Sequence, residues 1–213
     1  GFFLANSVKI PDGGWFPLAF GLGIFILLTT WKRGRELLHD RLAADALELA
    51  PFVADIADNG IERVPGTAIF MTPNPAVVPH ALLHSLKHFK TLHEQVVVLS
   101  VSVFDVPYVP DIDRVEVRKL AGNFAQVTVQ YGFKDEPDIP AALALCANAG
   151  LNIDMMDASF FLGRETLIPR LKSEMAYWRE LIFVAMFRNA GSATAYFKIP
   201  SNRVVELGAQ IVL

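Results

Sequence analysis

The chain has 213 residues, 53% of them hydrophobic, and its formal net charge at neutral pH is -3. This balance gives no strongly basic surface, so it argues against a nucleic-acid partner. The single cysteine, Cys146, excludes an internal disulfide and suits a reducing compartment.

The first long segment is an uncharged apolar stretch at residues 13–31. Its length is close to the roughly 20 residues that a helix needs to cross a hydrocarbon core about 30 Å thick. Trp15 and Trp31 lie near its two ends, where amphipathic rings favour the membrane–water interface. The basic residues that follow it are Lys32, Arg33, Arg35 and Arg41. This positive flank predicts that the C-terminal side of the stretch faces the cytoplasm.

Two other interpretations of the stretch fit less well. A core helix of a soluble protein is usually shorter and less uniformly apolar. A removable signal peptide has its basic region before an apolar run of about 7 to 15 residues, whereas here the basic residues come after a longer run. We therefore predict a membrane anchor followed by a cytoplasmic tail.

The chain begins with glycine, and residues 2–5 resemble the end of another apolar segment. Residues 6–14 contain the proline and glycine residues of a tight turn. We therefore expect a fragment of a polytopic protein, in which residues 1–31 form the last loop and the last transmembrane helix.

Residues 32–62 are predicted to form an amphipathic helical linker. Apolar residues recur at helical spacing as far as Leu49, so the transmembrane helix is expected to continue to that point. Pro51 then interrupts this helix or begins a second short one, which ends at Asn59 and Gly60.

Residues 63–213 are predicted to form a cytoplasmic α/β domain with a mixed sheet flanked by helices. Apolar runs at 67–72 and 96–103 are typical of buried strands and enclose a predicted helix at 79–89, which indicates a parallel crossover unit. Two segments of period two follow, and the Gly122-Asn123 pair between them predicts an antiparallel hairpin.

Four further elements are predicted after the hairpin. They are a helix at 139–149, a short strand at 158–162, a long helix at 169–189 and a final strand at 203–213. One face of the long helix is apolar and is predicted to be buried. It consists of Leu171, Met175, Trp178, Leu181 and Met186.

Three histidines lie four residues apart on the first predicted helix, namely His80, His84 and His88. Residues at this spacing share a helix face, so two of them could bind one metal ion. No His-Glu-x-x-His pattern and no cysteine pair accompanies them. We therefore expect surface or packing roles and predict no metal site.

Six acidic residues fall in two predicted loops: Asp105, Asp111, Asp113, Asp135, Glu136 and Asp138. Paired carboxylates can perform acid–base chemistry. Loop acids are usually solvated, however, and no nucleophile with a neighbouring base accompanies these. We therefore predict no catalytic residue and no enzymatic activity.

The loop that contains Thr72 and Asn74 joins a buried strand to the helix that carries His80. Free backbone N–H groups at such an edge can hold an anion or a nucleotide phosphate. No glycine-rich phosphate loop is present, so we favour a plain structural role for these three residues and keep an anion or nucleotide edge as the alternative.

Several short segments match the C-terminal end of a known family, in order along the chain. They are 9–15 (KIPDGGW), 29–35 (TTWKRGR), 63–68 (RVPGTA), 79–84 (PHALLH), 92–94 (LHE), 131–133 (YGF), 188–190 (RNA) and 203–208 (RVVELG). Over nearly its whole length the chain resembles the C-terminal end of the Kup-type (KUP/HAK/KT) potassium uptake permeases.

The resemblance implies a multi-spanning potassium importer of the inner membrane that couples potassium entry to protons. Its transport core would be similar to the amino acid–polyamine–cation superfamily. The family's ion-coordinating residues lie in earlier spans, so no potassium-site residue can be assigned here, and potassium and protons are cargo rather than cofactors. The expected partners are the membrane, the remaining transmembrane helices and a second copy of the chain.

The C-terminal domain is expected to regulate or assemble the importer. Some related importers have a domain similar to universal stress proteins that binds cyclic di-AMP, but the glycine-rich ATP motif of such domains is missing here. Binding of a regulatory nucleotide by this domain is therefore left as an open alternative. The alternative function is a membrane-tethered nucleotide-binding module or an enzyme, and the lack of a catalytic constellation favours the transporter.

Overall fold

The computed structural model of the protein describes residues 15–44, 46–170, 174–191 and 193–212. Its helices are α1 (Trp15–Ala44), α2 (Leu49–Asp58), α3 (His80–Phe89), α4 (Ile139–Leu145), α5 (Tyr177–Arg188) and α6 (Ala193–Tyr196). Its strands are β1 (Arg63–Met71), β2 (Leu92–Phe104), β3 (Val115–Lys119), β4 (Phe124–Gly132), β5 (Ala158–Ile168) and β6 (Val204–Val212). Short 3₁₀ turns lie at Asp111–Asp113, Cys146–Ala149 and Ser201–Arg203.

The strands form one six-stranded sheet in the order β3-β4-β2-β1-β5-β6. β1 runs parallel to β2 and to β5, β2 runs parallel to β4, and β3 pairs antiparallel with β4. The predicted parallel unit and the predicted hairpin are therefore confirmed. The mixed sheet flanked by helices, preceded by one long apolar helix, confirms the predicted fold class.

The central strands are buried on both faces, which explains their uninterrupted apolar sequences. Alternate residues face opposite sides of a strand. Ile69 of β1 packs in a cluster with Ile139 and Leu143 of α4. Its neighbour Phe70 packs in a second cluster with residues of α2 and α3, including Leu82. Helices thus cover both faces of the sheet.

The turn between β3 and β4 uses two residues with positive φ. Gly122 has a φ of 60° and Asn123 a φ of 62°. The Phe124 N–H donates to the Ala121 carbonyl oxygen at 3.1 Å, so Gly122 and Asn123 are the two central residues of a β-turn, and glycine and asparagine adopt positive φ most readily. The Gly-Asn signal in the sequence therefore identified the turn correctly.

The predicted end of the first helix was wrong, whereas the predicted second short helix is present. α1 ends at Ala44 rather than continuing to Leu49, and Glu48 forms an antiparallel bridge with Val77. A new helix, α2, begins at Leu49 and contains Pro51 in its first turn. Proline is tolerated there because first-turn N–H groups have no acceptor within the helix.

The prediction for residues 158–189 also needs correction. β5 continues to Ile168, and α5 begins only at Tyr177. Trp178 and Leu181, which were assigned to the buried face, are exposed, whereas Phe183 and Val184 are buried. Leu171 lies outside the described residues.

The chain divides into two compact units. The helical unit contains α1, α5 and the residues around α5 within Leu167–Ala190. The sheet unit comprises residues Ala46–Thr166 and Gly191–Gln210, which hold most of the sheet and its covering helices. The boundaries predicted from sequence at residues 31 and 62 stay predictions.

Candidate functional site

The N-terminal half of α1 exposes apolar side chains all around the helix. Its exposed large residues are Trp15, Phe16, Leu18, Phe20, Leu22, Ile24, Phe25, Leu27 and Leu28. A helix that is apolar on every side is stable in a surrounding that is itself apolar. α1 is also long and apolar enough to cross a membrane. We therefore take this half of α1 as the candidate membrane-contact surface.

The two predicted interface tryptophans have different surroundings. Trp15 begins α1 and is exposed, whereas the half-buried ring of Trp31 lies against Phe183 of α5, with 5.6 Å between the ring centroids. The two tryptophans are about 24 Å apart along a straight helix axis, since each residue rises about 1.5 Å. This separation is comparable with the hydrocarbon core of a bilayer.

The C-terminal half of α1 packs on α5. Leu37 and Leu38 share a buried cluster with Phe183 and Val184. Gly34 lies directly opposite Phe183, and a Cβ atom at position 34 would overlap the aromatic ring. Because the Phe183 side chain is fully buried, the ring has little room to give way. The absence of a side chain at position 34 is therefore what permits this close approach.

Polar contacts join the same two helices. Arg179 Nε of α5 donates a hydrogen bond of 3.0 Å to Thr30 Oγ1 of α1, and the Thr30 side chain is fully buried. Glu180, also fully buried, accepts a bond of 2.9 Å from the backbone N–H of Arg170. These hydrogen bonds favour one arrangement of the helices. If a buried polar side chain lost its partner, neither water nor another protein group would replace the hydrogen bond.

The predicted basic residues lie at the end of the apolar half of α1. Arg33 forms ion pairs with Glu174 at 3.1 Å and with Glu36 at 3.6 Å, whereas Lys32 and Arg35 are exposed. With Trp31, these residues line an open depression of about 590 Å³. Exposed cations next to an apolar helix are suited to lipid headgroups. The assignment of these residues to the membrane interface stays a prediction.

The contact between α1 and α5 was not predicted from the sequence. Gly34 belongs to a Lys-Arg-Gly-Arg run that looks entirely solvated, and Phe183 comes two residues after Leu181, which is itself exposed. One signal was available in α1, because Thr30, Gly34 and Leu37–Leu38 recur at helical spacing and form a narrow stripe of its buried residues.

In the loop after β1, side-chain oxygens accept hydrogen bonds from backbone N–H groups of the same loop. Thr72 Oγ1 accepts a hydrogen bond of 3.3 Å from the backbone N–H of Asn74, and Asn74 Oδ1 accepts one of 3.0 Å from Ala76. Segment 47–49 bonds to the same loop on its other side. His80 is half-buried at the start of α3. The structure thus places all three predicted residues near one edge, where a nucleotide site stays a prediction.

Two histidines of α3 lie close together, and the single cysteine is buried. The rings of His84 and His88 are 5.9 Å apart, and the described residues contain no cluster of three or more side chains able to hold a metal ion. Cys146 is fully buried, and burial raises the pKa of its thiol to about 11. A thiol with that pKa stays protonated at neutral pH and is a poor nucleophile.

The two acidic loops are held together by one ion pair. Asp135 accepts hydrogen bonds from the backbone N–H groups of Gly132 at 2.7 Å and Val109 at 3.0 Å, and from Arg114 Nη1 at 2.9 Å. These two backbone bonds, followed by the Arg114 guanidinium, lower the pKa of Asp135 below its ordinary value of 3.8. The Arg114 guanidinium also lies 5.0 Å from the centre of the Tyr131 ring.

Comparisons with known proteins give matches along nearly the whole chain. A family model described as the K+ potassium transporter C-terminal domain matches residues 65–213, and one described as the K+ potassium transporter integral membrane domain matches residues 1–36. No solved structure gives a significant match.

Relatives with high identity carry potassium-transport names. The "Probable potassium transport system protein Kup 3" of Dechloromonas aromatica (strain RCB) is 81% identical over 213 residues, which cover 100% of this chain and 34% of that protein. Its "Kup 1" counterpart from the same organism is 66% identical, with 100% and 34% covered, and a Kup protein of Azoarcus sp. (strain BH72) is 57% identical, with 100% and 33% covered. The chain therefore spans about a third of the length of these relatives.

Proposed function

Because this chain belongs to the K+ potassium transporter family, we propose that it forms the C-terminal part of a potassium importer. The family membership confirms the resemblance to Kup-type permeases found in the sequence. One observation carries the proposal: two models of one family match consecutive parts of the chain, and α1 begins in the first part and ends before the second.

In this proposal α1 is the last transmembrane helix, and the sheet unit is a cytoplasmic domain. The apolar side chains around the first half of α1 support the membrane assignment. The basic residues that follow, with Lys32 and Arg35 exposed, support a cytoplasmic location for everything after Trp31. The host membrane is then the inner membrane of the cell.

The sheet unit has a regulatory or assembly role in this proposal. The family membership supports a role in transport rather than an enzymatic role for this unit. A second copy of the chain is a proposed partner in assembly. The proposed importer takes up potassium together with protons, as the resemblance to Kup-type permeases implies.

α1 by itself supplies no potassium pathway in this proposal. A desolvated cation needs oxygen ligands from several helices near the middle of the membrane. Residues 15–31 contain no acidic side chain, and the hydroxyl of Thr29 donates to the carbonyl oxygens of Phe25 and Ile26 within the same helix. The 213 residues therefore act as one part of a larger bundle.

The test is growth of a potassium-uptake-deficient bacterium on low potassium. The full reading frame should rescue growth, a frame that stops before Arg63 should rescue it less well or without regulation, and the 213-residue chain alone should not rescue it. Rescue by the 213-residue chain alone, or no rescue by the full frame, would overturn the proposal.

Proton coupling is measured separately in membrane vesicles that contain the full-length protein. Addition of potassium outside should acidify the vesicle interior when protons enter with potassium. An unchanged interior pH during measurable potassium uptake would contradict symport and leave the importer assignment intact.

A further inference from the structure

An exposed apolar surface lies at the C-terminal ends of β2 and β4. We call it the loop patch, and it consists of Phe104, Val106, Tyr108, Ile112 and Phe133. All five side chains are exposed, from 45% for Phe104 and Val106 to 87% for Ile112. Soluble surfaces rarely gather several large apolar groups in one place without a binding role.

Backbone bonds bring Phe104, Val106 and Phe133 of the loop patch together. Phe104 at the end of β2 pairs with Gly132 at the end of β4. The backbone N–H of Phe133 donates to the carbonyl oxygen of Val106 at 2.9 Å, and that of Lys134 donates to Pro107 at 2.9 Å. The loop after β2 is therefore tied to the chain that leaves β4.

The same loop is anchored from beneath. Val109 is buried, its N–H donates to Asp135, and its carbonyl oxygen accepts a bond from Arg114 Nη2. Arg114 and Asp135 are themselves mostly shielded from solvent. A loop fixed in this way presents its apolar side chains in one arrangement. Binding a partner therefore costs little of the loop's conformational entropy.

Acidic residues surround the loop patch. Residues 104–114 and 133–138 together contain six acidic and two basic side chains. One of the two basic groups, Arg114, is paired with Asp135, and one of the acids, Glu136, is paired with Lys198. Asp105, Asp111 and Asp113 are exposed. A surface with this charge is repelled by anionic lipid headgroups and attracts a partner that is basic and partly apolar.

The membrane domain of the proposed importer is a partner that is basic and partly apolar. Its relatives are about three times as long as this chain, and the integral membrane model matches only residues 1–36 here. Short cytoplasmic loops of membrane proteins carry an excess of lysine and arginine. The basic flank of α1 follows the same rule. The remaining membrane domain thus offers basic loops on the side where the sheet unit is proposed to lie.

We propose that the loop patch docks on the basic cytoplasmic loops of the integral membrane domain of the same transporter. The inference rests on the proposed function, since it requires a membrane domain and a cytoplasmic sheet unit. Docking at this surface gives the sheet unit a direct contact through which it acts on the transport helices.

The test is site-specific photo-cross-linking in the full-length protein in native membranes. A benzophenone amino acid replaces Tyr108 in one variant and Ile112 in a second, and cross-linked peptides are identified by mass spectrometry. The expected product joins the loop patch to a cytoplasmic loop of the membrane domain. The matched control carries the probe at Met156, which is 75% exposed and has two acids nearby in sequence. It precedes β5 and so lies at the N-terminal ends of the parallel strands, opposite to the loop patch.

Charge reversal supplies a second arm of the experiment. Asp111 and Asp113 are exposed, and the Asp111–Arg114 pair at 3.5 Å contributes little to stability, so both acids can be changed to lysine without unfolding the domain. Asp111→Lys with Asp113→Lys should lower the cross-link yield from Tyr108 by about threefold or more. Glu94→Lys, an exposed acid at the start of β2, is the matched control and should leave the yield unchanged.

Three outcomes overturn the docking proposal. They are a cross-link to the sheet unit of a second copy, a yield no higher than that from Met156, and an unchanged yield after the double charge reversal. Cross-linking does not depend on potassium uptake. Failure of this experiment with a full frame that rescues growth therefore rejects the docking alone, whereas failure of the rescue rejects the proposed function.

Discussion

Gly34 illustrates how one residue without a side chain sets the distance between two helices. It lies on the buried stripe of α1, against the fully buried ring of Phe183. Gly21 and Gly23 of the same helix have no neighbouring atom within 4 Å of a Cβ position. The three glycines of α1 thus differ in what a substitution would meet.

We expect Gly34→Leu to destabilise the contact between α1 and α5 by about 1–3 kcal/mol, the usual cost of forcing extra atoms into a packed core. The measurement is thermal unfolding of the 213-residue chain in detergent micelles, followed by tryptophan fluorescence, because Trp31 lies against Phe183. Gly21→Leu is the matched control and should leave the melting temperature within about 1 °C of the wild type. Equal effects of both substitutions would contradict the packing role of Gly34.

Asp135 provides a prediction about pH. Its pKa is lowered in the folded chain, so its carboxylate stabilises the fold above the unfolded-state value near 3.8, and this contribution is lost as the pH falls through the lower folded-state pKa. Asp135→Asn should therefore lower the melting temperature by about 3 °C or more at pH 7. The difference from the wild type should shrink below pH 3.8.

The same thermal scans in micelles at pH 7, 5 and 3 check the pH prediction. Asp105→Asn is the control, because Asp105 is an exposed acid in the neighbouring loop after β2. A difference between Asp135→Asn and the wild type that stays constant down to pH 3 would contradict ionisation of Asp135 as the cause.

At the scale of elements, α5 is the helix whose surroundings differ most from expectation. It buries Glu180, Phe183 and Val184, whereas its apolar residues Trp178 and Leu181 are exposed. Phe183 and Val184 pack against α1, in a cluster with Leu37 and Leu38. α5 therefore covers the C-terminal half of α1.

Removing the central ring of this contact should be costly. We expect Phe183→Ala to reduce the free energy of unfolding by about 3–5 kcal/mol, the range for large-to-small changes of buried aromatic residues. Leu181→Ala on the same helix should cost less than about 1 kcal/mol, since that side chain is 46% exposed. Chemical denaturation in micelles measures both, and similar losses for the two variants would refute the assigned orientation of α5.

These elements also show how far the sequence could be interpreted. Apolar strands and a Gly-Asn turn are local signals, so the parallel unit, the hairpin and the fold class were predicted correctly. The face of α5 could not be, because its partner α1 lies far away in the sequence and a buried Glu180 beside an exposed Leu181 reverses the usual pattern. Gly34 and Thr30 were missed for the same reason, as their partners are Phe183 and Arg179.

For the whole molecule, the chain joins part of a membrane domain to a C-terminal domain of the same family. The charges around α1 determine the orientation that we propose, since the basic residues follow its apolar half. A single apolar helix with one basic flank places its two ends on opposite sides of the bilayer.

Reporter fusions to the full reading frame test this topology. Fusions placed after Arg41 and after Leu213 should both give a cytoplasmic signal, because no second apolar helix long enough to cross the membrane occurs among the described residues. A fusion placed in residues 6–12 should report the opposite side. A periplasmic signal after Arg41 or Leu213 would reject the proposed orientation.

The contact between α1 and α5 has a consequence for biosynthesis. Thr30 and Arg179 are 149 residues apart, so the ribosome completes α1 long before it makes the helix that covers it. At roughly 5–20 residues per second, Leu37 and Leu38 wait about 7–30 s for their partner. During that interval the newly made chain offers a short apolar stripe to chaperones, and synthesis that stalls before α5 leaves the stripe open to proteolytic quality control.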